Sequence, residues 1–274
     1  MNELSQAIVL GALQGFTEFL PVSSSGHLVL AQQALGERFR FANEALLFDL
    51  VLHCGTLIPV LWFYRLDLIA MLRALLLFKS NDQESASHRR LFGHVVLGTL
   101  PTAMIGLLFK DVFESLFQSV TAVCISLAVT GALLWSTKRS QKSETPQVEL
   151  NARTALLVGL VQGLAITPGI SRSGSTIAVA LLLGIERGAA ARFSFLLSIP
   201  AICGGVILQA KDGVPLDNAS LSTLLAGFTT SMAIGYMALL MLVALVQRGR
   251  LYRFAYYLWP LSLLAFLTLG IGVR

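Results

Sequence analysis

Long apolar runs separated by short polar segments occupy most of the chain. Six of these runs approach the roughly 20 residues that an α-helix needs to cross the hydrocarbon core of a bilayer. They lie at 42–64, 92–109, 117–136, 193–209, 221–246 and 254–273. The pattern predicts an all-α polytopic membrane protein with six spanning helices.

Two further apolar stretches are interrupted at their centres by Pro, Gly and Ser. Residues 6–20 run into a break at 21–27, and residues 154–167 run into a break at 168–176. Each stretch then resumes for only a few apolar residues, so neither half can span. Lipid cannot satisfy the backbone polar groups that such a break exposes. The pattern therefore predicts two re-entrant helix-turn-helix hairpins, each entering and leaving on one side.

The two interrupted stretches resemble each other at a constant offset of 148. The identical pairs are Gly11/Gly159, Gln14/Gln162, Gly15/Gly163, Ser23/Ser171, Ser25/Ser173, Gly26/Gly174 and Gly36/Gly184. We interpret this similarity as an internal duplication. It predicts one membrane domain over 1–274, with repeat halves at roughly 1–136 and 150–274.

Basic residues are distributed unevenly between the two sides that this topology defines. The loops of one side carry 14 of the 20 Lys and Arg residues, and the other side carries 5. The positive-inside rule places the 14-residue side in the cytoplasm. The first hairpin then enters from outside and the second from inside. Such an inverted-topology repeat would bring the two broken turns together near the membrane midplane.

Composition and charge agree with a membrane protein. Hydrophobic residues make up 55% of the chain and charged residues 13%, about half the charge of a typical soluble domain. The net charge of +5 is spread over short loops without a continuous basic patch, which argues against nucleic acid as a partner. Three cysteines in apolar segments predict free thiols.

The second break carries a charged residue inside an apolar stretch. Arg172 is surrounded by hydroxyl side chains and by two glycines, at the start of the resumed helix. The hydroxyl residues are Ser171, Ser173, Ser175 and Thr176. A guanidinium, hydroxyls and a helix N-terminus together favour binding of a phosphate or carboxylate. The alternative is that Arg172 pairs with an intramembrane acid to fix the fold.

The first break combines a carboxylate, hydroxyls and an imidazole. Gln14 and Glu18 share one helix face, and Ser23, Ser24 and His27 follow in the turn. This is a set typical of general acid–base or nucleophilic catalysis. Glu18 could also hold a divalent cation, with Gln14 offering a neutral oxygen. Alternatively, Glu18 is a buried partner of the arginine, and His27 is an interfacial helix-end histidine.

Asp49 and His53 form another pair on one helix face, in the first predicted span. Ionisable residues within a membrane favour a functional interpretation. A structural role for Asp49 is equally compatible with the pattern.

The two breaks resemble known motifs. Residues 14–27 (QGFTEFLPVSSSGH) and 168–176 (PGISRSGST) are similar to (E/Q)xxxE and PGxSRSxxT, the signatures of bacterial undecaprenyl-diphosphate phosphatases of the bacitracin-resistance type. Both motifs are complete, and the resemblance extends over nearly the whole chain. Gln14 stands where many members have Glu, which removes one candidate carboxylate ligand.

The resemblance implies hydrolysis of undecaprenyl diphosphate to the monophosphate and phosphate, which recycles the lipid carrier for cell-wall synthesis and gives bacitracin resistance. It implies a multi-pass protein of the bacterial cytoplasmic membrane with its active site on the outer side. A divalent cation, Mg²⁺ or Ca²⁺, would be held by Glu18, with the neutral oxygen of Gln14 as a further candidate ligand. Arg172 would clamp the phosphates, and the attacking group would be His27, Ser24 or a water. Expected substrate contacts are Gln14, Ser23, Ser171, Ser173 and Thr176.

A secondary transporter or flippase of an anionic lipid is the main alternative, because inverted repeats with broken helices are typical of transporters. Such a protein would bind its ligand without bond cleavage. The sequence leaves the oligomeric state open: contact with membrane lipid is expected, and an oligomer is compatible with the pattern.

Overall fold

The structure, a computed structural model, describes residues 2–35, 45–76, 82–139, 148–211 and 220–270. Within these ranges all regular secondary structure is helical. The α-helices are α1 Glu3–Phe19, α2 Ser24–Leu35, α3 Ala45–Phe63, α4 Arg65–Leu76, α5 Gln83–Leu108, α6 Lys110–Phe117, α7 Val120–Ser136, α8 Ala152–Leu164, α9 Arg172–Leu182, α10 Arg187–Lys211, α11 Leu221–Gln247 and α12 Ala255–Ala265. A 3-10 helix at Leu251–Phe254 precedes α12, and a π-helical turn at Phe266–Gly270 follows it.

Several helices begin where a polar side chain caps the first turn. The side chain accepts a hydrogen bond from the backbone N–H three residues later, which the helix itself leaves without a partner. The capping residues of α1, α5, α7, α8 and α9 are Asn2, Asp82, Ser119, Asn151 and Ser171. These caps explain why the helices start at those positions.

The six predicted spans leave residues 65–91 as one loop between the first two spans, but two segments of that loop are helical. α4 occupies 65–76, and α5 begins at Gln83, well before the predicted span 92–109. The loop prediction was wrong there because hydropathy does not report helix formation. Asp82 caps α5, and the Glu and Arg residues of this first part are good helix formers.

Three to five candidate membrane spans lie within the described ranges, by helix length and apolar composition. α5, α10 and α11 are long and apolar enough to span alone. Two bent pairs raise the number to five: 47–63 with 65–76 at 72°, and 110–117 with 120–136 at 101°. Apolar side chains such as Trp62, Leu66 and Leu108 are more than half exposed on the outer surface, as contact with lipid requires. The six-span count stays a prediction.

Both interrupted stretches form a helix, a turn and a second helix. α1 gives way to α2 at Leu20–Ser23, where Ser23 adopts a left-handed backbone with φ of 71°. α8 gives way to α9 over 165–171, where Gly169 has φ of 93°. The helical breaks are thus where Pro, Gly and Ser predict them. The re-entrant path of each pair stays a prediction.

The first helix of each predicted half packs on a helix of the other half. α1 makes its most extensive contact with α11, and α8 with α5. A methyl group on Gly11 would lie 2.6 Å from the carbonyl oxygen of Gly227, and one on Gly159 would lie 2.0 Å from that of Gly98. Only glycine permits such close backbone approach.

The partner helices share a small-residue pattern that makes this packing reciprocal. Gly98, Thr102 and Gly106 of α5 recur in α11 at an offset of 129, as Gly227, Ser231 and Gly235. This second correspondence is independent of the offset of 148 between the broken segments. It supports a duplication in which the two copies exchange helices.

An aromatic cluster fixes the end of α1 against α10. The rings of Phe19 and Phe195 meet edge to face with centroids 5.9 Å apart, and Tyr64 stacks on Phe195 at 5.9 Å. Phe19 and Phe195 are fully buried. Since Phe19 directly follows Glu18, this packing holds the polar end of α1 in place.

Candidate active site

An ion pair joins the two broken segments. Arg172, the first residue of α9, donates from Nη2 to Oε1 of Glu18 near the end of α1. Around it, Ser173 Oγ donates to the carbonyl of Phe19 at 2.8 Å, and Gly169 N donates to Ser23 Oγ at 3.1 Å. The two turns, 146 to 154 residues apart in sequence, are therefore in direct contact.

The Glu18 carboxylate is held at both oxygens. Oε1 accepts from Arg172, while Oε2 accepts from Ser24 Oγ at 2.8 Å and from Gln14 Nε2 at 3.0 Å. Glu18 is 9% exposed. Buried charges require such pairing, and here it leaves a serine hydroxyl bonded to a carboxylate.

Arg172 retains bonding capacity. Its Nη1 atom has no hydrogen-bond partner within the described residues, although it is buried. A buried guanidinium N–H without a partner is costly, and Arg presents its donors in a planar fork that suits phosphate. The atom is thus a candidate donor to an anionic ligand.

A cavity of about 580 Å³ lies beside this ion pair. At its polar end it is lined by Glu18, Ser24, Arg172 and His53, together with Ser171. Most of the remaining wall is apolar, from the C-terminal halves of α5 and α10 and from the turn after α8. A charged end and an apolar body suit an amphiphilic ligand.

The predicted hydroxyl residues divide into two groups. Ser23, Ser24 and Ser171 line the cavity. Ser173 and Thr176 do not line it, and their hydroxyls bond to protein: Ser173 to Phe19 O, and Thr176 to Arg172 O at 2.7 Å. For those two residues the geometry favours a role in shaping the turn, and direct substrate contact stays a prediction.

Gln14 lies behind the site. It is fully buried, does not line the cavity, and donates to Glu18. Its predicted contact with substrate stays a prediction, while its visible effect is to orient the carboxylate.

His27 lies away from the cavity. Its Nδ1 is 2.8 Å from the carbonyl oxygen of Ser23, and its Nε2 is 2.8 Å from the hydroxyl of Tyr257, on which the ring stacks. Both ring nitrogens are thus engaged, and His27 is not among the cavity-lining residues. The structure does not bring it together with Glu18 and Arg172 at the cavity.

The imidazole that does line the cavity is His53. Its Nε2 is 3.9 Å from Glu18 Oε2. Its Nδ1 is 2.9 Å from the backbone oxygen of Asp49 and 3.5 Å from that residue's carboxylate. The helical spacing of Asp49 and His53 signals this pair, but sequence alone does not connect it with the first break.

Gln162 is a further cavity residue that sequence reasoning noted only as a repeat match. It is 1% exposed, and its Nε2 donates to Thr102 Oγ1 at 3.2 Å and to the Leu197 carbonyl at 3.3 Å. Its Oε1 has no partner within the described residues. The signal that could have found it is its equivalence to Gln14.

The described residues do not fit a resident metal centre. They contain no cluster of three or more His, Cys, Asp or Glu side chains placed to hold an ion. Both oxygens of Glu18 already accept hydrogen bonds, and Gln14 directs its amide nitrogen, which is no ligand, at Glu18. Mg²⁺ and Ca²⁺ need several oxygen ligands, and the part of the chain that the structure describes does not supply them here.

The chain matches known proteins over almost its full length. The family model described as "Bacitracin resistance protein BacA" matches residues 7–264. Three proteins named undecaprenyl-diphosphatase are similar to this chain. The one from Methanobrevibacter smithii is 41% identical, with 97% of each chain covered, and the one from Desulfosudis oleivorans is 44% identical, with 98% of each covered. The one from Methanosphaera stadtmanae is 42% identical, over 94% of this chain and 95% of that protein. The chain belongs to the bacitracin resistance protein BacA family.

Proposed function

We propose that this protein is an integral-membrane phosphatase that hydrolyses undecaprenyl diphosphate to undecaprenyl phosphate and inorganic phosphate. The observation that carries the proposal is the Arg172 guanidinium at the cavity, beside the Ser24–Glu18 hydrogen bond. Its buried Nη1 has no hydrogen-bond partner among the described residues. The names of the similar proteins point to the same reaction. The product would re-enter the cycle of lipid carriers used in cell-wall synthesis.

Phosphate binding would rest on Arg172. Its free N–H and the N-terminal end of the α9 dipole attract the terminal phosphate, and the Ser171 hydroxyl lies at the same end of the cavity. As negative charge develops on the transferred phosphoryl group, a prepositioned guanidinium stabilises it without reorganisation. Arg172 would thus contribute to catalysis as well as to binding.

Ser24 is the attacking group that the geometry favours. Its Oγ lies 2.8 Å from Glu18 Oε2, so the carboxylate can accept the hydroxyl proton as Oγ bonds to the terminal phosphorus. The P–O bond to the bridging oxygen breaks, and polyprenyl phosphate leaves. A water then cleaves the phosphoserine, releasing phosphate and restoring the Ser24 hydroxyl. Attack by His27 would require its ring to leave Tyr257 and Ser23.

A divalent cation would arrive with the substrate. Diphosphate oxygens are strong ligands for Mg²⁺ and Ca²⁺, and such ions commonly bind through one or two carboxylates plus substrate phosphates. Glu18 would be the protein ligand of that cation, in exchange for one of the hydrogen bonds that its oxygens now accept. This arrangement accounts for a cation requirement without a metal centre built from the chain alone.

The active site would open to the outer side of the bacterial cytoplasmic membrane. The cavity is lined by the C-terminal halves of α5 and α10. Both ends lie on the side with few Lys and Arg residues, which the positive-inside rule places outside.

Transport of an anionic lipid is the second candidate. The reciprocal packing of α1 on α11 and α8 on α5 is the kind of arrangement that transporters use to alternate access. A transporter or flippase would bind the diphosphate lipid in the same cavity and release it intact. Phosphate release separates the two functions.

The test is phosphate release from undecaprenyl diphosphate by the purified protein, with and without a chelator. Arg172→Lys keeps the positive charge but removes the planar guanidinium, and Glu18→Gln keeps the shape of the side chain but removes its negative charge. We expect each variant to lose at least about 100-fold in kcat/KM, as for loss of one transition-state donor. No release by folded wild type, combined with lipid movement in liposomes, would support the transporter instead. Near-normal activity of Arg172→Lys and Arg172→Ala would refute the clamp.

A further inference from the structure

The helices α5 and α10 are in contact near their middle and lie further apart toward their C-terminal ends. Near their middle, a methyl group on Gly98 would lie 3.0 Å from a Leu197 side-chain carbon. Further along, among the described residues, a methyl group on Gly106 would meet only a side chain of the α8–α9 turn, and one on Gly204 or Gly205 would meet no atom within 4 Å. We call the opening between 99–107 of α5 and 200–209 of α10 the lateral cleft.

Gly204 and Gly205 have no packing role that requires glycine. Elsewhere in the chain, Gly11 and Gly159 allow backbones to touch. Side by side within the 25-residue helix α10, two glycines weaken the helix, and nothing within 4 Å of the added methyl groups explains them. What they provide is width in the wall of the cavity that they line.

The lateral cleft is apolar and continuous with the polar end of the cavity. Its rim carries Leu107, Ile207 and Leu208, which are 60%, 55% and 39% exposed. Arg172 lines the same cavity, as does Gln162, whose buried Oε1 has no hydrogen-bond partner among the described residues. The occupant must therefore carry a charged group at one end and a long apolar chain at the other.

We propose that the lateral cleft holds the part of the substrate's tail beyond its first isoprene unit, and that Gly204 and Gly205 determine which tails fit. This proposal rests on the proposed function, because it takes the headgroup at Arg172 to be a diphosphate. Without side chains at these two positions, the bulky methyl-branched chain can pass along α10 into the surrounding lipid. Larger residues there would narrow the cleft while leaving the headgroup site intact.

The test compares a long-chain polyprenyl diphosphate with dimethylallyl diphosphate, which has a single isoprene unit and therefore no tail to place in the cleft. The variants are Gly204→Leu and Gly205→Leu, each beside its Ala counterpart. A larger side chain in a fitted site weakens binding by steric overlap. We therefore expect kcat/KM for the long substrate to fall about tenfold or more, mainly through a higher KM. Release of phosphate from dimethylallyl diphosphate should stay within about twofold of wild type.

Gly93→Leu is the matched control. Gly93 lies in α5, outside the cavity, and a methyl group there also meets nothing within 4 Å. We expect it to leave the rates for both substrates unchanged. Equal losses for both substrates in the α10 variants, or no loss for the long one, would overturn the proposal.

Equilibrium binding of a polyprenyl methylene-diphosphonate, which cannot be hydrolysed, separates this proposal from the proposed function. If wild type binds the long diphosphonate, and Gly204→Leu and Gly205→Leu weaken that binding, the tail site stands even without phosphate release. If wild type hydrolyses the long substrate but the variants bind the diphosphonate normally, the tail site fails and the phosphatase stands.

Discussion

Gln14 donates a hydrogen bond from Nε2 to Oε2 of Glu18 one helical turn away, at 3.0 Å. Its repeat equivalent, Gln162, donates instead to Thr102 and to a backbone carbonyl. In both residues Oε1 is buried without a partner within the described ranges. One residue type thus serves the carboxylate on one side of the site and a helix contact on the other.

This relationship predicts opposite outcomes for two substitutions of Gln14. Gln14→Leu removes a bond to a charged group, which is worth about 1.5–3 kcal/mol, so kcat should fall about tenfold or more. Gln14→Glu introduces a second carboxylate beside Glu18, and the two would repel unless a cation lies between them. We expect that variant to keep activity and to reach its half-maximal rate at a lower concentration of free Mg²⁺ or Ca²⁺, because the second carboxylate adds an oxygen ligand.

Titration of phosphate release against free Mg²⁺ measures both effects. Wild type provides the reference curve, and Gln14→Met separates loss of the amide from loss of volume. An unchanged cation requirement in Gln14→Glu would contradict the view that the cation binds at this end of the cavity.

Ser24 and His27 are separated by their positions relative to the cavity. Ser24→Ala removes the hydroxyl bonded to Glu18, so we expect loss of nearly all activity. His27→Gln removes one or both contacts with Ser23 and Tyr257, so we expect a lower unfolding temperature and a smaller loss of rate.

Acid quench of a reaction with substrate labelled in the terminal phosphate distinguishes the attacking group. Label should appear on wild type and on His27→Gln, in an acid-stable form as expected for phosphoserine, and should be absent from Ser24→Ala. Acid-labile label, or label retained in Ser24→Ala, would point to the histidine. Absence of label in all three would point to direct attack by water.

His53 is the ionisable cavity residue whose role sequence alone left undecided. It lines the cavity 3.9 Å from Glu18, with its ring oriented by Asp49. Removal of a positioned acid–base group typically costs about 10²–10⁴-fold, and we expect His53→Ala to lose activity toward the lower end of that range. Asp49→Asn keeps the backbone acceptor and should lose less.

The measurement is the rate of phosphate release by His53→Ala and by Asp49→Asn at saturating substrate. His88→Ala is the control, since His88 bonds only to the backbone of its own helix at Glu84 and lies outside the cavity. Equal rates for His53→Ala and wild type would show that the imidazole takes no part in catalysis.

The sequence predicts the parts of the site that are local. The breaks at Pro, Gly and Ser, the helix start at Arg172 and the spacing of Gln14 and Glu18 depend on neighbouring residues only. The pairing of Arg172 with Glu18 was foreseen as an alternative interpretation and is present. It joins residues 154 positions apart, and the repeat made it foreseeable because similar turns tend to meet.

What the sequence does not predict depends on the rotation of helices against each other. His27 and His53 are both histidines within apolar segments, and only packing decides that Tyr257 engages one while the cavity receives the other. The six apolar spans leave α4 and the polar start of α5 in a loop, because hydropathy indicates which segments are apolar enough for lipid and does not indicate which segments are helical.

Gly159 offers the last prediction, because it separates packing glycines from cavity glycines. A methyl group at Gly159 would lie 2.0 Å from the Gly98 carbonyl oxygen, and backbone atoms on both helices leave no room to relax. Gly159→Ala should therefore destabilise the fold by about 1–3 kcal/mol or more and lower the unfolding temperature in detergent. Gly204→Ala, whose methyl group meets nothing, should match or exceed wild type because Ala is the better helix former. If both variants unfold at the same temperature, the α5–α8 contact is not as close as the structure has it.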